Sequence, residues 1–511
     1  MISRQWAVVR QKLSHFLPMC LLFFFMAFNN TIFDSTKDTL LITAVGGAEQ
    51  VPFVTLYAVL PCSCLFLFLF TLANTRFSRR AVFNFTVFVY MTFFWTFSAL
   101  LYPNRHILHS AAVANALNSF LPVGLSALGN MIHQWTFTIF YVMSELWGDV
   151  ILSLNFWVLA NETTRTEDAI VLYPLFGIGA NVAQLVAGQT LRHVQAISGQ
   201  VTYQGQLQFL TNLTVGVSIF IWAIHHWITD RFTIPTPAKP AATSDEKKGV
   251  GEEGEESDAT LGSSLRLILG SPVLQCLAAI SLAQGITTNL IEVAWKASIR
   301  LLHPDPSSYS AFMGGVSSML GVCTGLAMVV SPTIFLRATW RQAASVNPTV
   351  NFYGGSVFFA VIIGGFVMGV KSTVFLSSIV LMGTLLYMFG RASKFSLLKP
   401  AEEMVYLRLD ETSRRSGKAA IEVVGSQVGK SISSLMQQLF LLFGSGKLQR
   451  TYPMMWGLLL VVGVVWMNAV TKLSKLCFES GGNAEGDHTE SGSEAKEGTT
   501  TVDIAPQRRL T

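Results

Sequence analysis

The sequence is poor in charged residues, which account for only 13% of its 511 positions. A soluble domain carries about 25% charged residues, so this composition excludes an ordinary water-soluble protein. Hydrophobic residues account for 51% of the chain, and the mean hydropathy is +0.47. Because these residues come in long apolar blocks and not in amphipathic stripes, the sequence indicates an integral membrane protein.

Several kinds of functional motif are also missing. The six cysteines are too sparse for a secreted disulfide scaffold. The sequence has no HExxH motif, no paired CxxC motif and no G-x-S-x-G nucleophile elbow, so we expect no metal ion, no cofactor and no catalytic residues. The net charge of +5 is small, and basic residues do not cluster with aromatic ones, so nucleic acid is not an expected partner. A secondary transporter is therefore favoured over a membrane-embedded enzyme.

The apolar blocks predict an all-α membrane protein with about twelve transmembrane helices, since a span takes about 20 apolar residues. The predicted spans lie near 14–33, 51–74, 81–102, 131–159, 168–190, 206–228, 265–295, 308–335, 350–370, 372–390, 419–443 and 452–473.

A polar segment rich in Pro, Gly, Ser and Glu separates six of these spans from the other six. The sequence thus predicts a six-helix bundle at 1–232, a polar cytoplasmic linker at 233–264, a second six-helix bundle at 265–476 and a disordered tail at 477–511. By count, about 26 of the 35 Lys and Arg residues fall on the side of both termini and the linker and about 8 on the other, which predicts that both termini are cytoplasmic. Two six-helix bundles are typical of secondary transporters.

Ionisable side chains inside the predicted spans are the first candidates for a functional site, because a charge in the membrane is costly unless it is paired or hydrated. Glu145 and Asp149 lie four residues apart on one face of the fourth span. Glu292 lies in the seventh span and Lys430 in the eleventh. We expect these side chains to face a polar cavity, with a hydrated helix end as the alternative for Glu145 and Asp149. Lys296 is expected to extend to the outer surface.

A polar stretch after the first span contains Asp34 and Lys37. Backbone of this kind is allowed within a membrane only where it lines a cavity, and an external loop is the alternative. Two tryptophans of the fourth span, Trp147 and Trp157, are candidates for stacking on a flat ring.

Seven segments together resemble the ATP/ADP translocase family of nucleotide transporters, found in chlamydia-like and rickettsial intracellular bacteria and in plastids. They are TKDTLLITA (36–44), GAEQVPF (47–53), SELWGDVILSLNFWVLANE (144–162), YPLFGIGANVAQLVAG (173–188), NLIEVAWK (289–296), YSAFMG (309–314) and GKAAIEVV (417–424). The resemblance implies a twelve-helix transporter, similar to the major facilitator architecture, that exchanges ATP for ADP or imports nucleotides without hydrolysing them. It also implies binding roles for Glu145, Glu292 and Lys430, and a cavity lined by Tyr173, Asn181 and Asn289.

Three positions depart from the family pattern toward less positive charge. Thr55 stands where a lysine is common, Asp34–Ser35 replaces Arg-Asp, and Asp149 replaces a small residue. A binding site for ATP favours the opposite trend. The departures therefore raise the alternative of proton-coupled nucleoside triphosphate import with variant base specificity, in which Asp149 and Asp34 couple the ion.

Our hypothesis from the sequence is a monomeric nucleotide transporter in a bacterial inner membrane, with ATP/ADP exchange as the family's default activity. The phosphates would meet Lys430, together with Lys37 or Lys296. The base would lie against Trp147, Tyr173 or Trp295. A transporter of another organic anion remains a further alternative.

Overall fold

The computed structural model describes residues 13–164, 166–197, 202–232, 268–370, 372–409, 417–418, 421 and 428–479. Within these ranges the chain forms helices and no strand. The predicted linker at 233–264 and the predicted tail from residue 480 onward lie outside the described residues.

Twelve long helices, α1 to α12, follow one another along the chain. Ten of them are long and apolar enough to cross a membrane, and α5 and α11 are the other two. Their bounds are Leu13–Thr43, Gly47–Arg76, Arg79–Leu101, Trp135–Thr163, Thr166–Ile197, Tyr203–Phe232, Pro272–Leu302, Pro306–Arg337, Trp340–Val367, Thr373–Tyr406, Gly429–Phe443 and Leu448–Phe478. This architecture confirms the all-α fold expected from the sequence.

Local sequence signals set the starts of the helices after the linker. The Ser271 side chain accepts a hydrogen bond from the backbone of Leu274, and Asp305 does the same for Ser308, each just before a proline at the first helical position. Thr339 and Gln342 form a capping box at the start of α9. Such caps satisfy backbone N–H groups that have no partner within the helix.

The two halves of the molecule, α1–α6 and α7–α12, pack closely where α5 crosses α8. A Cβ atom on Gly188 would lie 2.3 Å from the carbonyl oxygen of Gly314, and one on Gly321 would lie 2.5 Å from the carbonyl oxygen of Asn181. Only glycine fits at these positions, and its use lets the two helix backbones approach directly, as small residues do in membrane helix pairs.

One end of the bundle is closed by contacts between the halves. The Arg300 guanidinium donates to the carbonyl oxygen of Ala44 at 2.9 Å, and the Gln438 amide donates to that of Pro52 at 3.1 Å. Gly124 packs against the backbone of Leu442. We call this the closed end. The other end is called the open end; α8 and α10 finish there, and Leu336 is 86% exposed.

Candidate functional site

A cavity of about 2310 Å³ lies between the two halves and reaches the open end. Residues from both halves line it. The structure brings most of the residues singled out from the sequence to this one cavity: Asp34, Lys37, Thr55, Glu145, Tyr173, Asn181, Asn289, Glu292, Lys296 and Lys430.

Lys37 is the centre of an ion-pair cluster in the first half. Its Nζ atom lies 2.5 Å from Asp34 Oδ1 and 2.5 Å from Glu145 Oε1, and its side chain is 7% exposed. A buried ammonium group is stable only when it is paired in this way. The cluster therefore holds α1 against α4.

Lys296 forms the matching cluster in the second half. Its Nζ atom lies 2.6 Å from both Asp38 Oδ2 and Glu292 Oε1. The expectation that Lys296 extends to the outer surface is wrong, because the side chain is 7% exposed and is held by these two carboxylates inside the bundle. Asp38 belongs to α1, so this cluster also joins the two halves.

Lys430 makes a second connection between the halves. Its Nζ atom lies 3.8 Å from Glu145 Oε2, and the side chain is 44% exposed. In both connections the first half supplies the carboxylate and the second half supplies the ammonium group. Glu145 is thus shared between Lys37 and Lys430, which makes it sensitive to any anion that approaches Lys430.

Polar and aromatic side chains complete the cavity wall. Asn289 Oδ1 accepts hydrogen bonds from Ser433 Oγ at 3.0 Å and Gln437 Nε2 at 2.6 Å. The Tyr173 hydroxyl donates to Asn161 Oδ1 at 2.7 Å, and the ring packs edge-on against Trp157 with centroids 5.2 Å apart. This pair offers a fixed aromatic surface to a flat ring.

Asn181 also lies on this wall. Its Nδ2 donates to the carbonyl oxygen of Gly177 at 3.1 Å and approaches the sulfur atom of Met328 at 3.3 Å. Because Asn181 is on α5 and Met328 on α8, this side chain spans the crossing of the two halves.

Two tryptophans expected to contact a substrate lie outside the cavity lining. Trp147 is fully buried, and its indole N–H donates to the carbonyl oxygen of Met26 at 3.3 Å. Trp295 is also fully buried, and its indole N–H donates to Thr384 Oγ1 at 3.2 Å. The structure thus corrects the stacking role expected for them, since both rings pack within the protein core.

Asp149 is likewise outside the cavity lining, on a π-helical segment of α4 from Gly148 to Asn155. Thr55, the second departure from the family pattern, lines the cavity but is 8% exposed.

Sequence reasoning missed two basic residues of the cavity, Arg391 and Lys394. Both come just after an apolar run and were counted as cytoplasmic loop charges. In the structure α10 continues to Tyr406, so the two side chains lie within the helix. The signal that could have found them is their spacing of three residues, which places them on one helical face.

Comparisons with known proteins agree with this arrangement. Residues 1–477 match the sequence pattern of the TLC ATP/ADP transporter family. The chain is 36% identical to "ADP,ATP carrier protein 1" of Chlamydia trachomatis over 489 residues, covering 92% of this chain and 90% of that protein. It is 34% identical to "ADP,ATP carrier protein 1, chloroplastic" of Arabidopsis thaliana, covering 90% and 73%. "ADP,ATP carrier protein 4" of Rickettsia bellii is 28% identical, covering 92% and 91%.

Solved structures show the fold. The nucleoside transporter NupG superposes with a TM-score of 0.54 at 10% identity, covering 90% of this chain and 99% of that one. A D-xylose–proton symporter gives 0.53 at 13% identity, covering 88% and 96%.

Proposed function

The chain belongs to the TLC ATP/ADP transporter family, and from that premise we propose that it exchanges ATP for ADP across a membrane by alternating access. It is a multi-pass membrane transporter, and neither nucleotide is hydrolysed in the proposed cycle. The observation that carries the proposal is the cavity between the halves, in which buried ion pairs from both halves meet.

The charge of the cavity wall supports a polyanionic substrate. Seven basic and five acidic side chains line the cavity, a formal excess of two positive charges. The negative charge that the sequence departures suggested is thus outweighed at the wall. A nucleotide polyphosphate would add the anionic groups that this wall lacks.

The proposed cycle uses Glu145 as a switch between partners. A phosphate group that binds Lys430 competes with Glu145 for the ammonium group, which weakens the contact between α4 and α11. Glu145 then stays with Lys37, and the two halves are free to rearrange around the substrate. Opening of the closed end further requires Lys296 to release Asp38 and to remain with Glu292.

The aromatic surface of Trp157 and Tyr173 is the proposed contact for the base. Both residues line the cavity on the first half, whereas Arg391, Lys394 and Lys430 line it on the second half. A nucleotide bridging the cavity would therefore touch both halves, as alternating access requires. The choice of base would depend on Asn161, Asn181 and Asn289, whose amides also face this space.

We propose a bacterial inner membrane as the location, with both termini and the linker cytoplasmic and the protein acting as a monomer. The Chlamydia and Rickettsia relatives and the bias of Lys and Arg toward one side support this placement. The open end then faces the cytoplasm.

Uptake into liposomes tests the proposal. Purified protein in vesicles preloaded with ADP should take up ATP labelled on the α-phosphate, with little uptake into empty vesicles and no effect of a protonophore. The recovered label should still be ATP. Uptake into empty vesicles that a protonophore abolishes would instead indicate proton-coupled import, and competition only by non-nucleotide anions would indicate another substrate.

A further inference from the structure

Arg391 and Lys394 lie three residues apart on α10 and both line the cavity. The helix changes to a π-helical turn at Lys394–Leu398, and this turn is tied to α8 because Ser331 Oγ donates to the carbonyl oxygen of Ser396. Widened turns of this kind are frequent at functional sites. The backbone that carries Lys394 is thus held in place by a neighbouring helix.

Four other lysines of the cavity each pair with a carboxylate. Lys37 and Lys296 each contact two carboxylates. Nearer the open end, Lys399 pairs with Glu402 at 2.8 Å and Lys418 pairs with Glu403 at 2.7 Å. A phosphate that binds one of these four lysines would compete with a carboxylate that already contacts it.

Arg391 and Lys394 have a different environment. The Arg391 guanidinium donates to the Tyr387 hydroxyl at 2.5 Å and lies 5.3 Å from the centre of that ring. Among the described residues, no carboxylate lies within ion-pair distance of either side chain. Lys394 lines the same cavity as the basic side chains of Lys399, Arg391 and Lys430.

Arg391, Lys394 and Lys430 all face one cavity, and among the described residues the one carboxylate at ion-pair distance from any of the three is Glu145, which lies 3.8 Å from Lys430. An anion with several charges would compensate these positive charges. The guanidinium presents two parallel donors that match a phosphate group, and the lysines supply point charges. A chain of two or three phosphates suits these three side chains better than a single phosphate.

We propose that Arg391 and Lys394 bind the terminal phosphates of a nucleoside di- or triphosphate, and that they make the transporter select for two or more phosphates. The inference rests on the proposed function and adds the two residues that distinguish nucleotides by their number of phosphates. Lys430 holds the same chain from α11.

The test compares Lys394→Gln and Arg391→Gln with the unaltered protein in two measurements. The first is competition of AMP, ADP and ATP against labelled ATP uptake in vesicles loaded with ADP. The second is calorimetric binding of inorganic tripolyphosphate to the purified full-length protein. Each variant should weaken competition by ATP and binding of tripolyphosphate by about tenfold or more, since a charge-assisted hydrogen bond is lost. Competition by AMP should change less than twofold.

Two further variants serve as controls. Arg341→Gln removes an exposed positive charge at the start of α9, outside the cavity, and should leave both measurements unchanged. Lys394→Arg keeps the charge and should restore most of the tripolyphosphate binding. Elution of every variant as a single peak in size-exclusion chromatography separates loss of binding from loss of folding.

The outcomes distinguish this inference from the proposed function. ATP exchange by the unaltered protein together with unchanged tripolyphosphate binding in Lys394→Gln and Arg391→Gln would overturn the inference alone. Tripolyphosphate binding that depends on Lys394, without any nucleotide exchange, would overturn the proposed function but keep a polyphosphate site. Equal weakening of AMP and ATP competition, or no tripolyphosphate binding by the unaltered protein, would overturn the inference.

Discussion

Glu145 occupies a position between two lysines that belong to different halves of the molecule. Its carboxylate compensates the buried Lys37 and also restrains Lys430. Removal of the charge therefore leaves a buried ammonium group short of one partner and frees a cation in the cavity at the same time. Loss of one partner of a buried pair is generally more damaging than loss of both.

We expect Glu145→Gln and Lys430→Ala each to lower ATP exchange at least about tenfold, because each removes a charged contact made in the cavity. Initial rates in preloaded vesicles measure the effect, with protein amount in the membrane checked by immunoblot. Asp230→Asn is the control, since Asp230 forms an ion pair with Arg80 at the exposed end of α6. Exchange within twofold of normal in either cavity variant would contradict its assigned role.

Replacement of the buried Trp295 should affect stability more than substrate binding. Trp295→Phe loses the hydrogen bond to Thr384, which is worth about 1 kcal/mol and lowers the melting temperature by about 2 °C. The KM for ATP should stay within about twofold of normal. A larger rise in KM with an unchanged melting temperature would instead indicate that Trp295 contacts the substrate.

Trp157 lines the cavity, so Trp157→Ala should affect substrate binding more than stability. Stacking of a base on an aromatic ring is worth about 1–3 kcal/mol, so the KM for ATP should rise at least about fivefold. Inorganic tripolyphosphate should bind this variant normally, because it has no base. Weaker tripolyphosphate binding would show that the variant disturbs the whole cavity.

At the scale of single residues, a charge within a predicted span was the most useful signal for the cavity, although Asp149 carries the same signal and lies outside the lining. Glu145, Glu292 and Lys430 are conspicuous for that reason, and the structure brings them to one cavity. Arg391 and Lys394 follow the end of an apolar run, where basic residues normally mark a loop. The contact of Lys296 with Asp38 could not be read from the sequence either, since the two residues lie 258 positions apart.

The π-helical turns are features of the helices that the sequence did not predict. Four of these turns, in α2, α4, α9 and α10, contain residues that line the cavity: Thr55, Leu152, Asn351 and Lys394. A π-turn inserts one residue into the regular helix and changes which side chains face inward. Apolar periodicity assumes a regular helix, so it places such residues on the wrong face.

The crossing of α5 and α8 gives a prediction at the scale of helices. Gly188→Ala would put a methyl group 2.3 Å from the carbonyl oxygen of Gly314, so the helices must separate. We expect a stability loss of about 1–3 kcal/mol, as for other overpacked sites, and a fall in ATP exchange.

Gly216→Ala on α6 is the matched control for this crossing, because nothing lies within 4 Å of the position where its Cβ would be. Thermal unfolding of both purified variants gives the comparison. A melting temperature for Gly188→Ala equal to that of Gly216→Ala would show that the crossing has room to adjust.

The arrangement of the whole molecule predicts which side of the membrane each end faces. In a protein without its native cysteines, Leu336→Cys at the open end should react with an impermeant maleimide from the cytoplasmic side only. Val45→Cys, at a position 70% exposed beside the closed end, should react from the opposite side only. Right-side-out vesicles expose the outer face of the membrane to the reagent, and inverted vesicles expose the cytoplasmic face. The reverse labelling pattern would overturn the predicted orientation of the termini.

Composition alone was sufficient for the all-α membrane fold, because twelve apolar blocks leave few other arrangements. It could not indicate that the halves are joined by carboxylates from one side and ammonium groups from the other. That complementarity arises only when α1 meets α7 and α4 meets α11, contacts that no local pattern encodes.

The two ionic links between the halves, Asp38–Lys296 and Glu145–Lys430, have a consequence for the unloaded carrier. Without a substrate, the change back to the other orientation would have to separate these ion pairs inside the membrane, with no anion to replace the carboxylates. A bound nucleotide supplies the replacement anion, so the carrier changes between its two orientations only when a nucleotide is bound. In the exchange cycle proposed above, these four side chains would make movement in each direction depend on a bound nucleotide, so the total amount of adenine nucleotide on each side would stay constant.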